Sequence, residues 1–219
     1  LCDRRVRSSH QTVAKALEGD YRSEHLFALR QSLAGYRYYQ KLIADVDQEM
    51  GRYIADLRIG SEPDSRLPPQ TKKTKYRRQH HEPACLDLRS ELYRVFGVDL
   101  TDVPGISSVT AHTILCEVGT DLTRFRNASA FASWLGLCPE KQISGGKVLY
   151  TKSRRVKSRL ATALRIGANS LHHANNYLGE LFRRIARRLG KAQAITATAH
   201  KLARIIFHLL TTKEPYREE

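Results

Sequence analysis

A heptad pattern between residues 23 and 59 constrains the fold more than any other feature of the chain. Apolar side chains recur there at alternating steps of three and four, which places them on one narrow stripe of an α-helix. At 1.5 Å per residue, this helix is expected to be roughly 50 Å long. The apolar positions are Leu26, Leu29, Leu33, Tyr36, Ile43, Met50, Ile54 and Leu57, and Gln40 and Asp47 fill two further positions of the stripe.

A narrow stripe with polar flanks suits a partner helix, and polar residues within it set the register and number of partners. We therefore predict a coiled coil over residues 23–59 that joins copies of the chain into a homo-oligomer. Packing of the same stripe on the chain's own domain is the alternative.

Composition divides the rest of the chain into three segments. Residues 1–22 are basic and weakly patterned, and because the chain opens on Leu1 we interpret them as the remnant of a preceding domain. Residues 60–83 contain four prolines and a basic run around Tyr76, which predicts a linker whose charges are either solvated or in contact with a phosphate backbone. Residues 84–219 are expected to form a compact helical domain, so the predicted fold class is mainly α.

Caps and apolar spacing locate helices in this domain. Helices are predicted over residues 88–96, 128–135, 177–189 and 192–211. Gly97 and Gly190 are expected to close the first and third of them, and Asn127 to cap the second. Phe131, Trp134 and Leu135 are expected in the core.

The charge distribution favours a polyanionic partner. The formal net charge is +15, and residues 141–190 hold twelve Lys and Arg against a single acidic residue, Glu180. No apolar run approaches the roughly 18 residues of a membrane span, so nucleic acid is a better candidate than a membrane. The four cysteines lack metal-ligand spacing and are expected to be reduced thiols of a cytoplasmic protein.

A possible backbone-binding element lies at Pro104-Gly105-Ile106. A tight turn between two helices, the second capped by Ser107 or Ser108, is typical of a helix-hairpin-helix, in which free N–H groups receive a phosphate. Gly105 and Ser107 are then candidate nucleic-acid ligands. An ordinary corner between two helices explains the same residues.

Ser144 is the candidate reactive residue. It precedes Gly145 and Gly146, so its hydroxyl sits on a backbone that can turn sharply and has no neighbouring side chain to block a bulky partner. By itself, Ser-Gly-Gly is also typical of an ordinary surface turn. After it, Val148-Leu149-Tyr150 is predicted to be a short extended segment, and Thr151 or Ser153 to cap a helix that reaches about Asn169. The candidate nucleic-acid ligands along this segment are Gly145, Gly146, Lys147, Lys152, Arg154, Arg155, Lys157, Arg159 and Arg165.

Several ordered blocks carry a resemblance to a known family. They are Val103-Pro104-Gly105-Ile106, Phe131 to Pro139, Ile143 to Lys147, Ala163-Leu164-Arg165, and Ala194 to Arg204. Together they resemble the C-terminal domain of the insertion-sequence 110/116/902 transposases over most of residues 84–216, and the heptad helix resembles that family's coiled coil. Lys157-Ser158-Arg159 departs from the Asn-Arg pair expected there.

The resemblance implies a function in DNA transposition or site-specific recombination in the bacterial cytoplasm. It implies that Ser144 attacks a DNA phosphodiester, and that DNA and an element-encoded guide RNA are partners. It also implies an N-terminal RNase-H-like domain with four metal-binding carboxylates, for which residues 1–60 show no strand pattern. We therefore expect no metal site or cofactor in this chain, Mg²⁺ only together with that domain, and no activity of the chain alone.

Two other functions remain open. The same loop suits a non-catalytic nucleic-acid-binding module that holds backbone phosphate. The chain also suits an inactive transposase fragment that retains only coiled-coil association.

Overall fold

The computed structural model describes residues 6–57, 82–83, 86–154 and 156–218, excepting the side chains of residues 141, 142, 148 and 150–152. The predicted linker over residues 60–83 lies outside this part, apart from Glu82 and Pro83. The described chain is mainly α, as predicted. Its helices and strands are α1 His10–Ala16, α2 Ser23–Asp56, α3 Leu88–Phe96, α4 Ser108–Val118, α5 Ala128–Trp134, β1 Pro139–Ser144, β2 Lys147–Ser153, α6 Arg159–Ser170, α7 Tyr177–Leu189 and α8 Lys191–Thr212.

Two compact units divide the chain within α2, one over Leu1–Val46 and the other over Asp47–Glu219. In the first unit, Ser9 caps α1, and the stripe residues Leu29, Tyr36 and Ile43 of α2 are exposed. Pairing of this stripe with a second copy stays a prediction.

The last stripe positions behave differently, since they belong to the second unit. Ile54 is buried there, and Met50 and Leu57 pack against the same core. These three residues therefore pack on the chain's own domain, which was the alternative to a coiled coil.

Helix α8 lies at the centre of the second unit and packs against α5, α6 and α7. Its inward face is fully buried through Ala199, Leu202, Ala203 and Ile206. Small side chains among the large ones allow three helices to approach it closely. None of the described helices combines the length and apolar character needed to cross a bilayer.

The predicted helix ends are largely confirmed. Asn127 caps α5 through its side chain, and Gly97 ends α3 in the left-handed region at φ 71°. Helix α7 runs from Tyr177 to Leu189 and is followed by Gly190. Trp134 departs from expectation, because it is 38% exposed whereas Phe131 and Leu135 are buried.

The predicted start of the helix after Ser144 is wrong. Residues 147–153 form strand β2, and Ser158 caps α6, which begins only at Arg159. Val148, Tyr150 and Thr151 are residue types that favour strands. Their backbone pairs with β1, so the helix begins only after this strand has ended. The basic residues Lys152, Arg154 and Lys157 therefore precede α6 instead of lying on it.

Candidate nucleic-acid interface and serine loop

Ser144 lies at the tip of an antiparallel hairpin formed by β1 and β2. Pro139 pairs with Ser153 at the base and Ser144 with Lys147 at the tip, with a register irregularity between Gln142 and Ile143. Gly145 and Gly146 form the two-residue turn with φ angles of 55° and 75°. Both values are in the left-handed region that this kind of hairpin turn requires, which explains the glycine pair. A Gly-Gly pair between β-prone residues is the sequence signal for this hairpin. The sequence-based prediction included the turn and an extended segment over residues 148–150, but not the pairing of that segment with β1.

The hydroxyl of Ser144 is open to a large partner. Ser144 is exposed, and within the described part of the chain its side chain has no hydrogen-bond partner. A methyl group added at Gly145 or Gly146 would meet nothing within 4 Å. The tip therefore has room for a phosphodiester, but no described side chain is placed to take the hydroxyl proton.

Contacts at the base of the hairpin hold its two ends together. Gly136 has a φ of 64°, and a Cβ there would lie 2.8 Å from the carbonyl oxygen of Arg154 and 2.6 Å from Cγ2 of Val156. The Arg154 guanidinium donates to the carbonyl of Ser133 at 3.3 Å, and Arg165 donates to the carbonyl of Gly136 at 3.2 Å. Arg154 and Arg165, predicted as nucleic-acid ligands, thus have internal partners that position the hairpin.

Glu117, at the end of α4, anchors the segment that follows β2. Its carboxylate accepts hydrogen bonds from the Ser158 hydroxyl at 2.7 Å and from the backbone N–H groups of Arg159 and Leu160 at 2.8 and 3.2 Å. The Arg159 side chain also donates to it at 3.4 Å. The carboxylate therefore occupies the N-terminus of α6, where a negative charge is favoured. No sequence pattern singles out Glu117, because its partners lie about 40 residues away.

The pKa of Glu117 reflects this position. Burial raises the pKa, but the hydrogen bonds from Ser158, Leu160 and Arg159 outweigh burial and hold the pKa below its ordinary value. Glu117 is thus ionised at neutral pH and partly neutralises Arg159.

Two further groups lie close to this cluster on α4. Nε2 of His112 is 3.5 Å from Sγ of Cys116. Burial, and then the charge of Arg159, lower the pKa of His112, while the surrounding protein raises the pKa of the Cys116 thiol, although that residue is exposed. These shifts favour a neutral imidazole and an un-ionised thiol, so the Cys116 thiol is not prepared for nucleophilic attack.

The predicted turn at Gly105 packs inward. Gly105 has a φ of 87°, and a Cβ on Gly167 of α6 would lie 2.3 Å from the Gly105 carbonyl oxygen. Ser107 caps α4 by accepting from the N–H of Thr110, and the Ser108 hydroxyl donates to the carboxylate of Glu82. The start of α4, predicted as a phosphate site, therefore has an acidic side chain beside it. The element before the turn is a single 3-10 turn, Leu100–Asp102, preceded by α3.

Three further predicted ligands have exposed side chains, Lys147 within the hairpin and Lys157 and Arg159 after it. Arg155 and the side chain of Lys152 lie outside the described residues. Among the residues described, no group of three or more His, Cys, Asp or Glu side chains is arranged to hold a metal ion.

Residues 99–183 match the model of the transposase IS116/IS110/IS902 family. This range includes Glu117, the serine hairpin and α6. Over these residues the chain is similar to the transposases of this family. The resemblance inferred from the sequence blocks is confirmed.

Two curated transposases are also similar to this chain. One is the putative transposase y4pF/y4sB of Sinorhizobium fredii (strain NBRC 101917 / NGR234), 33% identical over 129 residues, which cover 54% of this chain and 32% of that protein. The other is the transposase for insertion sequence element IS1111A of Coxiella burnetii (strain RSA 493 / Nine Mile phase I), 34% identical over 120 residues, or 52% and 33% of the two chains. The matched region spans about a third of the length of each relative.

Proposed function

We propose that this chain acts in DNA transposition and that Ser144 is the nucleophile on a DNA phosphodiester. The observation that carries the proposal is the exposed Ser144 hydroxyl at the tip of a glycine-turned hairpin within the residues that match the transposase family. Exposed cations near the hairpin in sequence, Lys147, Lys157 and Arg159, supply the charge that a polyanionic substrate needs.

In the proposed reaction, Oγ of Ser144 forms a bond to phosphorus and one phosphorus–oxygen ester bond breaks. Ser144 loses its hydroxyl proton, and the departing DNA oxygen takes up a proton. A serine hydroxyl is a weak nucleophile at neutral pH, so the reaction needs a base and stabilisation of the charge on the phosphorane. Lys147 neighbours the turn and is our candidate for the second role.

The base is proposed to come from outside the described residues. The family resemblance implies a separate four-carboxylate domain that binds Mg²⁺. Because the described side chains offer no suitable cluster, we assign no magnesium site to them and derive no step through the ion. Guide RNA and a homo-oligomer formed through α2 are further proposed partners, the latter supported by the exposed apolar stripe of the first unit.

The experiment is covalent trapping. The chain is incubated with labelled element-end DNA, with the four-carboxylate domain of a relative of this family supplied in trans, and protein–DNA adducts are separated on a denaturing gel. Wild type is expected to give an adduct and Ser144→Ala none. Ser153→Ala removes a hydroxyl from the base of the same hairpin and is expected to keep the adduct. An adduct with Ser144→Ala would refute the assignment of the nucleophile.

A second function is favoured by the lack of a base beside Ser144 among the described residues. In it, the hairpin contacts backbone phosphate without chemistry. This alternative predicts salt-sensitive DNA binding with no adduct from any variant, and it predicts equal binding by wild type and Ser144→Ala.

A further inference from the structure

Helix α7 has a basic face that the serine hairpin does not use. Its apolar side packs inward through the buried residues Leu178 and Phe182. Arg184, Arg187 and Arg188 lie on the exposed side, three or four positions apart or adjacent. Residues three or four positions apart are neighbours on a helix surface, so Arg187 and Arg188 each lie beside Arg184 and the three guanidinium groups form one cationic patch. Arg187 and Arg188 also lie in the last turn of the helix, where positive charge is stabilised.

Arg183, on the same helix, has a structural role. Its guanidinium donates to the carbonyls of His172 and Ala174 at 3.1 and 2.8 Å and so ties α7 to the preceding turn. Arg184, Arg187 and Arg188 have no ion pair or side-chain hydrogen bond within the described residues. Their charges are available to a ligand.

A cavity of about 370 Å³ lies along the same helix. Its lining residues are Tyr177, Glu180, Leu181, Arg183, Arg184 and Arg187. Tyr177, at the start of the helix, is 39% exposed, and the ammonium group of Lys201 lies 5.5 Å from its ring centroid.

The two ends of this surface differ in chemistry. The Tyr177 end offers an aromatic ring with two carboxylates nearby, that of Glu180 and that of Glu218, which accepts from the Tyr177 N–H at 3.0 Å. The other end offers only guanidinium groups, from Arg184 to Arg188. An aromatic ring stacks on a nucleobase and guanidinium groups bind phosphate, and the combination is typical of proteins that bind single strands.

We propose that α7 is a second nucleic-acid-binding surface, at which Tyr177 stacks on an unpaired base while Arg184, Arg187 and Arg188 bind the adjoining phosphates. These three arginines lie beyond residues 99–183, which match the family model. The proposal rests on the proposed function only in taking nucleic acid as the partner. It requires neither Ser144 nor a covalent step.

The test measures binding of the full chain to fluorescein-labelled 20-nucleotide single-stranded DNA, single-stranded RNA and duplex DNA at several salt concentrations, by fluorescence anisotropy. The variant Arg184→Gln/Arg187→Gln/Arg188→Gln is expected to weaken binding of a single strand. Its plot of log affinity against log salt is expected to be shallower by about 2, because three phosphate contacts are lost at about 0.7 each. The single-stranded DNA and RNA probes show which strand binds better.

A charge-matched control replaces three exposed arginines elsewhere, Arg30, Arg37 and Arg126, by glutamine. If this control lowers the affinity and the salt slope as much as the α7 variant, the effect is one of net charge and the proposed surface is refuted. Unchanged binding by the α7 variant refutes it as well.

Variants of Tyr177 test the stacking without changing charge. Tyr177→Leu is expected to weaken single-strand binding about fivefold or more and duplex binding little, whereas Tyr177→Phe keeps the wild-type affinity. Equal affinities of the Leu and Phe variants would refute the stacking. If the wild-type chain bound none of the probes, the proposed function itself would be contradicted. If only a Lys147→Gln/Lys157→Gln variant lost binding, the binding would be assigned to the hairpin alone and the α7 surface would be refuted.

Discussion

Replacing Glu117 by Gln tests the link between α4 and α6 that holds the segment after the hairpin. Oε1 of Glu117 receives the backbone and side-chain N–H groups of Arg159, and Oε2 receives the Ser158 hydroxyl and the N–H of Leu160. Glutamine has the same shape but only one acceptor oxygen. The two donors that now bind the other carboxylate oxygen would therefore face an amide NH₂ group, which cannot accept their hydrogen bonds. The bond from the exposed Arg159 side chain contributes little.

The expected loss follows from the bonds that remain. Hydrogen bonds to a charged group contribute about 1.5–3 kcal/mol each, and the Ser158 hydroxyl can partly adapt by accepting from the new amide. We expect the free energy of unfolding to fall by about 2 kcal/mol. With a urea m value of about 2 kcal/mol/M, the unfolding midpoint then falls by about 1 M.

The fluorescence of Trp134 provides the assay, since it is the chain's single tryptophan and lies in the second unit. Glu140→Gln, which removes an exposed carboxylate from β1, is the control and is expected to leave the midpoint unchanged.

The effect of pH gives an independent check with a definite sign. The folded-state pKa of Glu117 is lowered, so its contribution to stability is fully present above the ordinary glutamate pKa of about 4.3 and is lost as the pH falls through the folded-state value. The difference between wild type and Glu117→Gln should therefore be largest near pH 7 and shrink below about pH 4. Equal midpoints at pH 7, or a difference that does not shrink in acid, would refute this account.

Two further substitutions test the packing of the second unit by urea unfolding. Gly167→Ala is expected to cost more than about 2 kcal/mol, because its Cβ would lie 2.3 Å from the Gly105 carbonyl oxygen, which is backbone and cannot swing away. Asp99→Asn is expected to cost about 3 kcal/mol, because it leaves the buried guanidinium of Arg89 without its main carboxylate partner.

Each of these substitutions has a control in α2. Gly35→Ala places a methyl group where nothing lies within 4 Å and is expected to be neutral or slightly stabilising. Glu49→Gln removes an exposed partner of Arg52 and is expected to change stability by less than about 0.5 kcal/mol. A Gly167→Ala or Asp99→Asn variant as stable as its control would contradict the packing described for that site.

Local chemistry determined much of the fold before any tertiary contact was considered. The ends of α3, α5 and α7 were predictable because Gly97, Asn127 and Gly190 act on backbone groups within a few residues of themselves. The family was also predictable, since its blocks are continuous in sequence. The position of Ser144 beside two glycines was likewise visible in the sequence.

Tertiary structure decided what those residues contact. Thr151 and Ser153 looked like caps, but strand pairing with β1 takes up this segment, and the helix starts only where Glu117 meets Ser158. The charges of Arg154 and Arg165, on which their prediction as phosphate ligands rests, are visible in the sequence, whereas the carbonyl oxygens that they contact are not. The α2 stripe shows the same division: a heptad specifies a helix with one apolar side, but only contacts made far along the chain decide that Ile54 enters a core while Ile43 stays exposed.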